Sequence, residues 1–286
     1  MTTSWIWGWN ADPLVLVPVV GAWFGYGAAV RRVAERGRPH PAARILAFRA
    51  GLAVIVVALA SPIDAEAHLW LSWHMVQHLL LTFVAAPLLV LGAPVAVVLR
   101  AATPAVRRRT LLILRASGAE FLGRPVVAWT VFTVGMFAIH LSPLYQASLE
   151  HPLVHAVEHV LFLAIGVVFF EPVIGGDPAR HRPPAPVRML YLALAAPPQV
   201  FLALAIVEAR RPLYEHYAGL PHPWGPAALP DQALAGVVMW FVGGVTLTAA
   251  LLLAAAAWRR AEVSRQLAGE TERSRHPRGL PEAPGR

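Results

Sequence analysis

Apolar residues gather in seven long stretches, near Leu14–Val30, Ile45–Ile63, Leu69–Val98, Pro125–Leu141, Pro152–Phe170, Val187–Val207 and Ala233–Trp258. A helix crosses the hydrocarbon of a bilayer with about 20 mostly apolar residues, so each stretch predicts a transmembrane helix. The fourth and seventh contain no charged residue. The second holds Arg49 near one end, where a long side chain can reach the interface. Pro87 predicts a kink in the third. Pro197-Pro198-Gln199 predicts a break in the sixth, with backbone groups freed near mid-depth. Between the third and fourth stretches, Thr103-Pro104 opens a segment that sets Arg107, Arg108, Arg109 and Arg115 beside Leu111, Leu112 and Leu114. Thr suits an N-cap and Pro the first helical position, so this reads as a helix lying on the membrane surface.

The polar positions orient these spans. Twenty-two of the 24 Arg fall in four regions, Arg31–Arg49, Arg100–Arg124, Arg180–Arg188 and from Arg259 onward. With seven spans, all four lie on one side, and only Arg210 and Arg211 lie on the other. The positive-inside rule then puts the N-terminus outside and the C-terminus inside. Trp5, Trp7 and Trp9 fit an outer interfacial belt. No basic segment precedes the first apolar run, so no cleavable signal peptide is expected. The expected organisation is an all-α, seven-helix membrane bundle over residues 1–258. A cytoplasmic, disordered tail over 259–286 follows, polar with late Gly and Pro.

Composition narrows the chemistry. Of 286 residues, 57% are hydrophobic and only 14% are charged, against roughly 25% charged in a soluble domain. The net charge of +8 reports membrane orientation rather than nucleic-acid affinity, because the Arg sit between apolar runs. There is no Cys, which excludes disulfides, thiolate metal sites and a Cys nucleophile. There is no Lys, which excludes a retinal Schiff base and the P-loop lysine.

Histidine is distributed the other way from arginine. His68, His74, His78, His140, His151, His155, His159, His216 and His222 fall on or near the outer side, and only His40, His181 and His276 inside. His74 and His78 are four apart on the third helix and share a face, as do His155 and His159 on the fifth. Glu158 lies beside that second pair. Met136 and His140 are four apart on the fourth helix. At about 1.5 Å per residue, His78, His159, Met136 and Met239 all lie roughly 10 Å inside the outer boundary. Ionisable groups inside a membrane are costly and usually functional.

Imidazole with thioether and no thiolate suits copper, with Met75, Met136 and Met239 as candidate soft ligands. Paired imidazoles on facing helices also suit haem b. His155-Ala156-Val157-Glu158-His159 further matches the H-x-x-E-H pattern of a zinc protease. A metal or proton transporter is disfavoured, since the inner halves of the spans offer few polar residues. Asp231 has two readings, an N-cap for the seventh helix or a group that orients a ligating His. Tyr145, Tyr214 and Tyr217 read as interfacial anchors. Glu208 with Arg210 and Arg211 reads as a solvated surface group.

Four stretches carry a resemblance. They are Ser61-Pro62-Ile63-Asp64 with His74-Met75-Val76-Gln77-His78 and Ala86-Pro87-Leu88-Leu89, Gly92 and Pro94; His140-Leu141-Ser142-Pro143-Leu144-Tyr145; His155 to Phe162; and Pro212-Leu213-Tyr214-Glu215-His216-Tyr217 with Asp231-Gln232 and Gly236-Val237-Val238-Met239-Trp240. In this order they resemble the CtaG-type cytochrome c oxidase assembly factors, a bacterial seven-helix membrane family. The likeness covers roughly Asp12 to Trp258. The sequence departs from the family pattern at Ala233, where a second Gln is expected, and at Phe170, where Trp is common. The resemblance implies a non-enzymatic, chaperone-like role in the bacterial cell membrane, maturing a haem–copper oxidase and handling copper for it. The positions it carries over are His74, His78, His140, His155, Glu158, His159, Asp231 and Met239. Expected partners are an oxidase subunit, the lipid bilayer and an extracytoplasmic copper donor.

Overall fold

A computed structural model describes residues 8–114, 116–175, 183–220 and 225–275. Trp5, Trp7, Arg115, His181, His222 and His276 lie outside the described residues. Those described form helices and no strand. In order they are α1 (Pro13–Glu35), α2 (Ala42–Ala60), α3 (Pro62–Ala67), α4 (Leu71–Leu79), a π-helical turn (Leu80–Ala85), α5 (Ala86–Leu91), α6 (Pro94–Ala101), α7 (Pro104–Leu114), α8 (Ser117–Leu122), α9 (Pro125–Leu141), α10 (Pro143–Glu150), α11 (Pro152–Ile174), α12 (Ala185–Val207), α13 (Glu215–Gly219) and α14 (Ala228–Arg275). Six helical stretches are long and apolar enough to cross a membrane. A seventh is reached if α9 and α10, bent by 64° at Ser142, count as one span. The chain is therefore a multi-pass, all-helical membrane protein. Leu14, Val17, Val20 and Phe24 on α1 are exposed, as lipid-facing residues should be.

The third predicted span runs from Leu71 to Ala101 with two irregularities. Pro87 has no N–H, and its ring crowds the carbonyl four residues back. The distortion accordingly sits ahead of the proline, as the π turn, where the Ala86 N–H reaches the Leu81 carbonyl. The second irregularity is at Gly92-Ala93, where Ala93 takes a left-handed conformation at φ 49°. Two donors from neighbouring elements fill the Gly92 carbonyl, the Tyr26 hydroxyl at 2.8 Å and the His40 Nε2 at 3.1 Å. Tyr26 stacks on Phe48 at 4.0 Å and so closes a small core between α1, α2 and α6.

The predicted break at Pro197-Pro198 does not occur. α12 stays helical through both prolines. It packs along α14, where Gly236 lets the helices approach: a Cβ there would lie 2.6 Å from Val207 Cγ2 and 2.9 Å from the Ala203 carbonyl oxygen. Packing against a neighbour supports a helix that lacks two N–H donors. In its described part the tail differs from the expectation: α14 continues past Arg260 to Arg275, and residues 276–286 lie outside the described residues. Beyond the apolar segment it carries polar turns such as Glu262–Arg265, paired at 2.8 Å. The predicted surface helix is present as α7, with no buried residue and with Leu112 and Ile113 exposed.

The bundle has two chemically distinct ends. The start of α1 meets the end of α2, where the Asn10 N–H donates to the Ala60 carbonyl at 3.0 Å. α3 and the first turns of α4 and α11 share that His-bearing end. At the opposite end, Arg36 donates to the Arg100 carbonyl. Arg49 rests its guanidinium 4.8 Å from the Trp23 ring centroid, which gives the charge a partner at the bundle surface.

A close crossing seats α11 on the π turn. A Cβ at Gly166 would lie 2.6 Å from the Thr82 carbonyl oxygen and 2.8 Å from Ala86 Cβ. Gly166→Ala is expected to cost about 1–3 kcal/mol through overpacking. Gly21→Ala, with nothing within 4 Å, is expected to be neutral or slightly stabilising. Thermal unfolding of both variants in detergent checks the contrast.

Candidate metal centre

The periodicity of two helices builds the site. α4 begins at Leu71, so His74 and His78 occupy its first and second turns on one face. α11 begins at Pro152, so His155 and Glu158-His159 do the same there. The rings converge: His74 and His155 have centroids 5.0 Å apart, His78 and His159 5.7 Å, and His155 and His159 4.2 Å. All of them are buried except His155, which is half-buried.

The nitrogen positions are specific. His74 Nε2 and His78 Nε2 face each other at 2.9 Å, and Glu158 Oε2 lies 3.8 and 3.7 Å from them. Tyr217 decides the tautomer of His74. Its hydroxyl lies 2.8 Å from the Ala67 carbonyl, which can only accept, so the single phenolic proton goes there. The His74 Nδ1 at 2.7 Å must then donate to the phenolic oxygen. This leaves the Nε2 lone pair aimed into the cluster. His78 keeps its ring plane by stacking on Phe162, with centroids 3.8 Å apart.

Several buried atoms here have no hydrogen-bond partner among the described residues: both oxygens of Glu158, His78 Nδ1, and the Nε2 atoms of His140, His155 and His159. The Ser148 hydroxyl beside Glu158 donates to the Tyr145 carbonyl at 2.7 Å instead. A buried carboxylate without donors is costly, and buried charges are normally paired or bound to metal. Two overlapping triads, His74–His78–Glu158 and His74–His155–His159, each bring their ligand atoms within 4.8 Å of one another. This donor set of imidazoles and a carboxylate fits a single small cation. Phe162 and Tyr145 fill the space flanking these rings.

The other predicted site residues divide. His140 lies at the edge, with its ring 6.5 Å from that of His78 and its Nδ1 bonded to the Met136 carbonyl at 2.8 Å. Met75, Met136 and Met239 are buried in the main apolar core around the cluster. Asp231 is not the N-cap of its own helix. It lies within the first turn of α14 and clamps the start of α4, accepting from the Ser72 hydroxyl at 2.5 Å and the Ser72 N–H at 3.3 Å. It thus caps another helix, the one that follows Trp70.

The three tyrosines are not interfacial anchors but interior groups, each at most 4% exposed. Tyr145 stacks on Tyr214 at 4.2 Å, and Tyr214 donates to the His140 carbonyl at 2.9 Å. Burial pushes the Tyr214 and Tyr217 phenols, on the segment between α12 and α14, above their ordinary range. They stay protonated, as their donor roles require. His68, exposed, sets its ring 5.7 Å from that of His155 and was not among the predicted ligands.

Comparison with known proteins gives a family and distant relatives. The chain matches the family described as cytochrome c oxidase caa3 assembly factor (Caa3_CtaG) over residues 24–261. It is 26% identical over 273 residues to an uncharacterized protein of Mycobacterium bovis, a match covering 93% of this chain and 41% of that protein. It is 26% identical over 260 residues to one of Mycobacterium leprae, covering 88% of this chain and 40% of that protein. The chain therefore spans about two-fifths of the length of these relatives. No solved structure matches it.

The Asp231 clamp makes a prediction independent of any metal. Asp231→Ala leaves the Ser72 N–H and hydroxyl without their acceptor. It is expected to lower stability by roughly 1.5–3 kcal/mol, the range for hydrogen bonds to a charged group. Thermal unfolding in the presence of a chelator checks it; a loss seen only in metal-loaded protein would return Asp231 to a ligand-orienting role.

Proposed function

The chain belongs to the cytochrome c oxidase caa3 assembly factor family, and from this we propose that it assists maturation of a haem–copper oxidase by holding copper in the cluster of His74, His78, His155, His159 and Glu158. The observation that carries the copper reading is the group of partnerless imidazole nitrogens around a donor-free buried carboxylate. Imidazole donors suit copper, and a chain without Cys has no thiolate to offer. Met75, Met136 and Met239 are the nearby thioethers for a Cu(I) state, and Glu158 supplies the balancing charge. Ligation through His78 Nε2 would place its ring proton on Nδ1, since Nε2–H donates to His74 Nε2 while no ion is bound.

The arginine bias supports placing the His-bearing end outside the cytoplasm, in a bacterial cell membrane. Copper then comes from an extracytoplasmic donor and passes to an oxidase subunit docked at that end or laterally. The site lies only one to two turns below the helix starts, at about 1.5 Å per residue, so the ion stays within reach of a partner.

Metal content and the absorption spectrum of the detergent-purified protein test this reading, beside a His74→Ala/His155→Ala variant. The expected result is roughly stoichiometric copper in the wild type, lost in the variant, with no Soret band. A Soret band lost in the variant transfers the same residues to haem b. Wild-type protein that takes up no copper after Cu(I) loading under reducing conditions overturns the copper reading.

A further inference from the structure

The two ligand triads share one residue, His74, and differ in everything else. One adds His78 and Glu158, all fully buried. The other adds His155 and His159, of which His155 is half-exposed. His155 in turn neighbours the exposed ring of His68. Along this line the donors pass from solvent to the interior in the order His68, His155, His159 with His74, then His78 with Glu158. The free atoms lie where a moving ion needs them: Nε2 of His155 and of His159 and both oxygens of Glu158 have no partner among the described residues.

Tyr217 makes the sharing exclusive. An imidazole bridges two ions only through both of its nitrogens. His74 Nδ1 is occupied as donor to the Tyr217 hydroxyl at 2.7 Å, and that hydroxyl is itself held by the Ala67 carbonyl. Only Nε2 remains, and one lone pair serves one ion. We infer that the cluster is a two-position relay for a single ion, an entry position at His74–His155–His159 and an interior position at His74–His78–Glu158, exchanged by pivoting about His74 Nε2. This rests on the copper-handling reading and deepens it.

The positions differ in chemistry as well as depth. The entry position offers only neutral imidazoles, which accept a monovalent soft ion without adding charge. The interior position adds a carboxylate, whose attraction grows with the charge of the ion in a medium of low dielectric. A divalent ion is therefore drawn inward and a monovalent one is held nearer the exit. Reduction of the bound ion by an external one-electron donor shifts it toward release.

The test loads full-length protein in detergent with copper and counts ions per chain. Three variants are compared with wild type: His78→Gln/Glu158→Gln, His155→Gln/His159→Gln, and His74→Gln. The relay predicts one ion in wild type and one in each paired variant. Oxygen ligation of Cu(II), read by X-ray absorption, is lost only in the first, and His74→Gln alone empties the protein. Melting curves establish that each variant is folded; if a paired variant is not, the single Glu158→Gln and His155→Gln variants give the same readout. Two ions in wild type overturn the exclusive sharing. Loss of all copper from one folded paired variant, with none lost from the other, overturns the relay in favour of one fixed site and leaves the copper reading standing. No copper in wild type overturns both.

Discussion

Glu158 imposes the constraint that the His-bearing end of the bundle satisfies. The residue is 1% exposed, its carboxyl group has no hydrogen-bond donor among the described residues, and one oxygen lies 3.7–3.8 Å from two imidazole nitrogens. An ionised carboxylate in such surroundings needs a cation, because at this separation a unit charge pair is worth about 4 kcal/mol even at an effective dielectric near 20. The neighbours are arranged to supply lone pairs rather than donors. Tyr217 turns the His74 Nε2 lone pair inward, Phe162 holds the plane of His78, and Ser148 is committed to a carbonyl. Tyr217 bonds across to α3 and α4 and Phe162 stacks from α11 onto α4, while Ser148 is held within α10, so the cluster is fixed from several sides at once.

That fixing depends on how the bundle treats backbone groups that lipid cannot solvate. Pro87 lacks the N–H of the third span's i→i−4 ladder, and the π turn ahead of it takes up the irregularity. The turn also points the Thr82 hydroxyl at the Phe162 carbonyl, 3.2 Å away, and seats Gly166 against its own backbone. The irregularity thus locks α11 to the third span one turn beyond His78 and sets the register in which His155 and His159 meet His74. The second irregularity, at Gly92-Ala93, is neutralised by Tyr26 and His40 and leaves the far end free to turn into α6. His40, in the connection between α1 and α2, has its pKa lowered by burial, which keeps the ring neutral as a donor to Gly92.

Much of this was readable from the residues. Apolar stretches above the length of a bilayer gave the spans, and a period of 3.6 put each His pair on one face. What failed were inferences that needed a neighbour. Asp231 precedes an apolar run, so it reads as a cap; only the fold shows that the helix it caps is α4. Tyr145, Tyr214 and Tyr217 sit near span ends, where tyrosine usually anchors, yet the short α10 and α13 fold them over the cluster as a roof. The proline pair of α12 reads as a break because propensity sees one helix at a time, whereas packing along α14 holds it straight. The tail read as irregular because it turns polar, but an apolar helix already formed propagates cheaply into polar residues. The stretch from Pro212 to Tyr217 was the one available signal for Tyr217, since it stands among the segments that carry the family resemblance.

A site that must release its cargo is better built from unsatisfied ligands than from satisfied ones, and the geometry follows that logic on the copper reading. Orphaned lone pairs raise the energy of the empty site, so loading is favoured without an extensive coordination shell. The same residues stay neutral when the ion leaves, so release does not strand a set of buried charges beyond Glu158 itself. Support from Tyr217, Phe162 and Asp231 holds the ligand-bearing helices in place in the interval, while His74 and His78 close on each other through their Nε2 atoms at 2.9 Å. His155, half-exposed at the edge of the cluster, is where an incoming ligand from a partner can first reach the ion. On that reading, transfer would exchange one imidazole for a partner's donor at a depth of about one helical turn, without unfolding any part of the bundle.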